Sequence, residues 1–316
     1  MRTAAIAGMG MYVPEQVVTN QFFDKLYKKD LGSFLVSQRN IRERRWMSEF
    51  QSTSDLALPA ANEALKKAGI TAQDLDLIIV ATDTPDYMSP STASILQYKL
   101  GATNAGTFDL NAACAGFVSA CDTASKYIMA DARYNNILVV GAYSISKYLD
   151  FKDYKVASIF ADGAGAAVIQ ASQSGHGFLA SELYTEGFYH DHMGIYDSLL
   201  AFPKRIPPET NGLHWPRMTR NLLERLNKTP QDVAHFFITQ FNVQSIYETL
   251  DRLEVPREKA HYIMDRFGYT GSASVGMALA DACHQGKLKK GDLIVMLGSG
   301  GGLSMAATAL EWNYDT

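Results

Sequence analysis

At 316 residues, 47% hydrophobic and 20% charged, the chain falls in the globular range and is long enough for two domains or one doubled unit. A net charge of −4 leaves no broad basic field for nucleic acid, and no apolar run nears the roughly 18 residues that a membrane span requires. The three cysteines, Cys114, Cys121 and Cys283, cannot all pair and show no metal-ligand spacing with the seven histidines, which points to a reduced, cytoplasmic setting.

The opening Met1-Arg-Thr-Ala-Ala-Ile-Ala-Gly-Met-Gly-Met-Tyr-Val-Pro14 is an apolar run broken by glycine and proline. It reads as a first strand and turn and not as a signal peptide. Residues 54–68 have the pattern of an amphipathic helix capped by Ser54 and closed by Gly69. After the turn Thr71-Ala-Gln-Asp74 comes Leu77-Ile-Ile-Val-Ala81, a continuous β-rich apolar run expected of a strand buried on both faces of a parallel sheet.

The next stretch is the candidate centre of chemistry. Residues 105–110 read as a short strand, and Phe117, Cys121, Ala124 and Ile128 recur at helical spacing. Cys114, in Asn111-Ala-Ala-Cys114-Ala-Gly-Phe117, therefore falls at a strand-to-helix junction. Free backbone N–H groups and the helix dipole there are expected to favour the thiolate, which makes Cys114 the candidate nucleophile; a small buried apolar residue is the alternative.

The second half repeats these landmarks. Thr229-Pro-Gln-Asp232 matches Thr71–Asp74, with Asp74 and Asp232 lying 158 residues apart, half the chain. The same offset sets Cys114 opposite Ser272 in another small-residue turn, and at an offset of 157 Ile137–Val140 matches Ile294–Leu297. Repetition at half length implies two similar α/β halves, each a mainly parallel sheet covered by helices, with the site where their strand ends meet. The expected organisation is an N-terminal half at 1–172 carrying the nucleophile, an irregular connection at 173–219 that covers the pocket, and a C-terminal half at 220–316. His190 and His192 in the connection lack a third ligand at a recognisable spacing, so no metal is expected.

In combination, Asn111-Ala-Ala-Cys114-Ala-Gly-Phe, Phe160-Ala-Asp-Gly-Ala-Gly, Gly268-Tyr-Thr-Gly-Ser-Ala-Ser and Leu297-Gly-Ser-Gly-Gly-Gly302 resemble the thiolase superfamily, and within it β-ketoacyl-acyl-carrier-protein synthase III. The resemblance implies a duplicated αβαβα five-layer sandwich and a homodimer, or a heterodimer with a paralogue. It implies a Cys114 that accepts an acyl group from a thioester of coenzyme A or acyl carrier protein, with no separate cofactor. The N–H groups of Cys114 and Gly302 would form the oxyanion hole.

The departures from the family pattern are specific. Thr239 replaces the histidine of the family's His-Gln-Ala-Asn segment, which reads Thr239-Gln-Phe-Asn242 here, and Tyr269 replaces the asparagine of Gly-Asn-Thr. Threonine is no base near neutral pH, so malonyl decarboxylation is expected to be slow; Tyr269 can donate one hydrogen bond. By the same resemblance Phe34 and Gln38 stand where a tryptophan and an arginine sandwich the adenine, Gln244 replaces a further arginine, Asn242 contacts substrate, and Tyr87 closes the acyl pocket across the dimer. The expected function is an acyltransferase of this type in fatty-acid-like or specialised-metabolite biosynthesis. The alternative is a catalytically impaired partner subunit of a heteromeric condensing enzyme.

Overall fold

The computed structural model describes residues 2–173, 175–314 and 316. Its first half contains β1 (Thr3–Tyr12), a short antiparallel ribbon of β2 (Gln16–Thr19) and β3 (Glu43–Trp46), then β4 (Leu77–Ala81), β5 (Gly106–Leu110), β6 (Asn136–Tyr143) and β7 (Gly163–Ser172). The main sheet runs β1-β7-β6-β4-β5, with β4 parallel to both β5 and β6. All five residues of β4 are buried, as a central strand covered on both faces requires.

The second half supplies β8 (Gly177–Thr185), a small ribbon of β9 (Gly194–Tyr196) and β10 (Leu199–Ala201), then β11 (Val233–Ile238), β12 (Leu293–Gly300) and β13 (Ser304–Glu311). Its sheet runs β8-β13-β12-β11, and a parallel bridge between Phe236 and Ala260 marks where a fifth strand would lie. Each strand thus has a counterpart in the same order as in the first sheet, which is the duplication that the spacing implied.

Two helices, Gly116–Ala130 and Ser274–His284, pack between the sheets and touch strands of both. They are apolar around most of their circumference because neither faces solvent. Thr53–Ala68 covers the outer face of the first sheet and Thr210–Arg225 that of the second, which completes five layers. No helix among the described residues is long and apolar enough to cross a membrane.

Three local expectations change. The helix begins at Thr53 with Ser52 as its N-cap, because Asp55 three residues on returns a hydrogen bond to the Ser52 N–H and closes a capping box; Ser54 instead binds Asp86. The segment assigned to an irregular connection holds β8, a strand of the second sheet, and the start of the Thr210–Arg225 helix. The irregular part is therefore 186–209, and the second repeat begins at Gly177.

Candidate active site

Strand β5 delivers the chain to a turn that the sequence makes tight. The Asn111 side chain accepts a hydrogen bond from the Ala113 N–H at 3.0 Å, and Ala113 takes a left-handed φ of 47°. A non-glycine residue there carries strain of about 1–2 kcal/mol, held by the surrounding packing. A single 3-10 turn, Ala113–Ala115, then enters the Gly116–Ala130 helix, leaving Cys114 at its mouth and 5% exposed.

The second repeat brings two groups to the sulfur. Tyr269 is pinned by backbone hydrogen bonds to first-half residues, its N–H to Ile159 O at 3.1 Å and its carbonyl from Ala161 N–H at 2.9 Å. Its buried hydroxyl faces the Cys114 thiol closely enough for each group to shift the other's titration. From the other side, β12 ends in Gly300, and a Cβ there would lie 2.4 Å from the Cys114 nitrogen. Only glycine allows backbone that close. Gly302 follows with φ 131°, in a turn whose next residue pairs with Glu186.

Burial pushes the Cys114 thiol well above its ordinary range, and the charge of Asp83 adds to the rise; the Tyr269 hydroxyl and the cysteine's own N–H pull the other way without overcoming it. The expectation of a resting thiolate is therefore corrected. The helix dipole, about half a charge, is outweighed by desolvation at a site sealed from water. Tyr269 is raised far above the usual phenol value by burial and by the cysteine, so it stays a neutral donor.

Asp83 was not singled out from the sequence. It lies just beyond β4 between the buried Thr82 and Thr84, and its Oδ1 is buried without a hydrogen-bond partner. Burial lifts its carboxyl from 3.8 to about 6, only partly offset by its own N–H. The available signal was an acidic residue directly after a fully apolar strand, at the carboxyl end where such sheets place ligands.

Thr239 follows β11, its Oγ1 accepting the Ser299 N–H at 3.0 Å, one residue before Gly300. This fixes the glycine turn and leaves the threonine no basic role. Asn242 caps the Val243–Leu253 helix, accepting from the Gln244 N–H at 3.0 Å, so its carbonyl already has a structural partner. Phe34 and Gln38 are both exposed, and the cation that reaches the site is Arg39: its guanidinium lies 4.7 Å over the Phe241 ring and donates to the Phe241 carbonyl. Tyr87 is 62% exposed beside a fully exposed Met88.

Between Tyr269 and the surface lies a cluster of rings. Phe160 and Phe241 pack on Tyr269 at 5.3 and 5.4 Å, and Phe202 stacks on Phe241 at 6.3 Å. Phe202 comes from the irregular connection, as does Met193, whose carbonyl lies 2.9 Å from where a Gly301 Cβ would be. The connection thus reaches the site. His192 packs edge-on against Tyr189 and bonds Asp191, while His190 lies 3.1 Å from the Gly187 carbonyl. Among the described residues no cluster of three His, Cys, Asp or Glu is placed to hold a metal ion.

Comparison with known proteins agrees with this arrangement. Residues 108–187 match the 3-oxoacyl-[acyl-carrier-protein (ACP)] synthase III family and residues 223–312 match its C-terminal part. The chain is similar to the β-ketoacyl-[acyl-carrier-protein] synthase III of Oceanobacillus iheyensis, 39% identical over 308 residues that cover 97% of this chain and 98% of the relative. Among solved structures it superimposes on 3-oxoacyl-[acyl-carrier-protein] synthase III from Aquifex aeolicus with a TM-score of 0.92 at 33% identity, covering 98% and 100% of the two chains. It also resembles the priming β-ketosynthase of the R1128 polyketide pathway, with a TM-score of 0.89 at 27% identity, covering 100% and 98%. Identity spread over almost the full length, on a shared fold with the cysteine turn and the glycine turn in place, shows that the chain belongs to the β-ketoacyl-[acyl-carrier-protein] synthase III family.

Proposed function

We propose that the chain is an acyltransferase that forms an acyl-enzyme on Cys114 and passes the acyl group to an acceptor, in fatty-acid-like or specialised-metabolite biosynthesis. The observation that carries this reading is the Cys114 turn itself: a strained backbone, a tyrosine hydroxyl on the sulfur and a glycine backbone against the cysteine amide. The donor is an acyl thioester of acyl carrier protein, which the relatives' names mention, or of coenzyme A, and the working unit is a dimer in which Tyr87 faces the partner. Arg39 over Phe241 marks the side from which a phosphorylated carrier would approach.

In acylation the Cys114 sulfur attacks the thioester carbonyl. The N–H groups of Cys114 and Gly302 receive the developing oxyanion, each such donor being worth about 3–4 kcal/mol of barrier lowering. Tyr269 steadies the charge that develops on the sulfur as its proton leaves during attack, and afterwards that on the thioester oxygen of the acceptor. The second step is weaker than in relatives with the full set, because Thr239 is a modest donor whose oxygen already serves Ser299. That same observation favours a second reading, a catalytically impaired subunit that completes a heteromeric condensing enzyme.

The deciding experiment is intact mass after incubation with a panel of acyl-coenzyme A and acyl-carrier-protein thioesters. The acyltransferase reading expects one acyl adduct, lost in Cys114→Ala. No adduct from any member of the panel would leave the partner-subunit reading standing.

A further inference from the structure

We propose that Asp83 takes the proton of Cys114 during acylation and delivers it to the departing thiolate. This rests on the acyltransferase reading. Three structural observations support it. Asp83 stands at the carboxyl end of β4, between the strand whose exit turn holds Cys114 and the strand that ends in Tyr143. The loop is locked: Thr84 N–H donates to Thr82 Oγ1 at 3.0 Å, and Ser144 N–H donates to Thr84 Oγ1 at 2.9 Å. In that fixed frame the Asp83 Oδ1 is the one carboxylate oxygen recorded as buried and without a partner among the described residues.

Asp162 shows what a structural buried carboxylate looks like here. Its Oδ1 accepts the Ser146 N–H and its Oδ2 the Met47 N–H, each at 2.8 Å. A carboxylate left half-unsatisfied in a closed site is costly to keep unless that oxygen has work to do.

The groups that feel the Asp83 charge are Cys114, Tyr143, Tyr148 and Tyr269, all neutral near pH 7. None of them can accept a proton from the thiol. Thr239, whose oxygen already accepts the Ser299 N–H, cannot do so either. The carboxylate, ionised above about pH 6, can.

The step balances without a further reactant. The Cys114 sulfur–carbon bond forms as the proton moves to the carboxylate, the bond from carbonyl carbon to leaving sulfur breaks, and the proton passes from the carboxyl group to that thiolate. The departing thiolate, whose thiol titrates at about 8.5, is a stronger base than the carboxylate, so the return transfer is downhill and the carboxylate is regenerated.

The test uses single-turnover acylation of the full chain by acetyl-, hexanoyl- and octanoyl-coenzyme A between pH 5 and 9, with Cys114 alkylation by iodoacetamide measured in parallel. Asp83→Asn is expected to acylate about a hundredfold more slowly and to lose the limb near pH 6, while alkylation at pH 8 becomes faster because a negative charge beside the thiol is gone. Asp83→Glu is expected to keep the limb. Opposite signs from one substitution exclude a simple loss of fold. Acylation by Asp83→Asn within twofold of the wild type, with the same pH limb, would overturn the proposal. A wild type labelled by none of the probes would instead overturn the acyltransferase reading beneath it.

Discussion

The two repeats present the same turn and use it differently. In the first, Ala113 at φ 47° precedes Cys114, and in the second Gly271 at φ 45° precedes Ser272, 158 residues later. What faces each turn differs. The Ser272 hydroxyl donates to the Ala142 carbonyl at 3.0 Å, and a Cβ on Gly271 would lie 2.5 Å from the Tyr143 ring, so that turn is filled. The counterpart of Tyr143 on the second sheet, 157 residues on, is Gly300, whose missing side chain lets backbone instead of a ring come up against the Cys114 turn. One copy of a duplicated element is a joint packed by a tyrosine ring, while the other sets a cysteine against glycine backbone.

Removing each turn's polar atom is the strongest way to break the comparison. Cys114→Ala is expected to lower acyl-adduct formation at least about a thousandfold. Ser272→Ala should leave the rate within twofold and lower stability by about 1 kcal/mol through the lost hydrogen bond, read by urea denaturation. Equal losses of activity in both would mean that the turns do not differ in role.

Adding a side chain at Gly300 sharpens it. Gly300→Ala places a methyl group 2.4 Å from the Cys114 nitrogen and displaces an oxyanion donor. The expected loss is about a hundredfold in acylation. Stopped-flow release of free coenzyme A checks this, and an unchanged rate would remove the amide from the mechanism.

The second half-reaction is tested by restoring the family residues. Thr239→His with Tyr269→Asn is expected to raise carbon dioxide release from a malonyl thioester at least about tenfold, part of the roughly hundredfold deficit that one missing donor implies. A wild type that already decarboxylates at about 1 per second would contradict the assigned role of these two positions.

The smallest effect concerns stability. The Asp83 carboxyl binds its proton more tightly in the folded chain, at about 6, than at the ordinary 3.8. The penalty is therefore absent below about pH 4, grows from there to pH 6 and is complete above it. Asp83→Asn should be more stable than the wild type at pH 7 by about 3 kcal/mol and equal to it near pH 4, measured by thermal melts across that range. Asp162→Asn loses an acceptor for a backbone N–H and should be less stable at pH 4; because burial also lifts Asp162 to about 6, that deficit should shrink toward pH 7.

The doubled α/β fold was legible because strand burial and repeat spacing are properties of many residues at once. Leu77–Ala81 announces a two-sided strand, and the paired Thr-to-Asp turns announce the duplication. The Cys114 turn was legible from its small residues. Asp83 was not, since nothing about a lone aspartate after a strand reveals that its oxygen will be buried without a partner. Arg39 was missed for a geometric reason. Leu35–Arg39 is π-helical, with more residues per turn than an α-helix, and this turns Arg39 and not Gln38 toward Phe241. The thiol's resting state was misjudged because the helix dipole can be read from sequence and desolvation cannot. β8 was absorbed into the connection because glycine, histidine and charged residues flank its short apolar stretch.

The central claim is that Cys114 alone carries the acyl group. Cys121 lies within the central helix with no exposure, and Cys283 is raised to about 12 by burial near the carboxyl end of its helix, so neither stands at a helix mouth against a glycine turn. Peptide mapping after treatment with an acyl thioester at neutral pH tests this directly. The expected result is the acyl mass on the peptide containing Cys114 and on no other. Acyl label on Cys121 or Cys283 with Cys114 unmodified would contradict it.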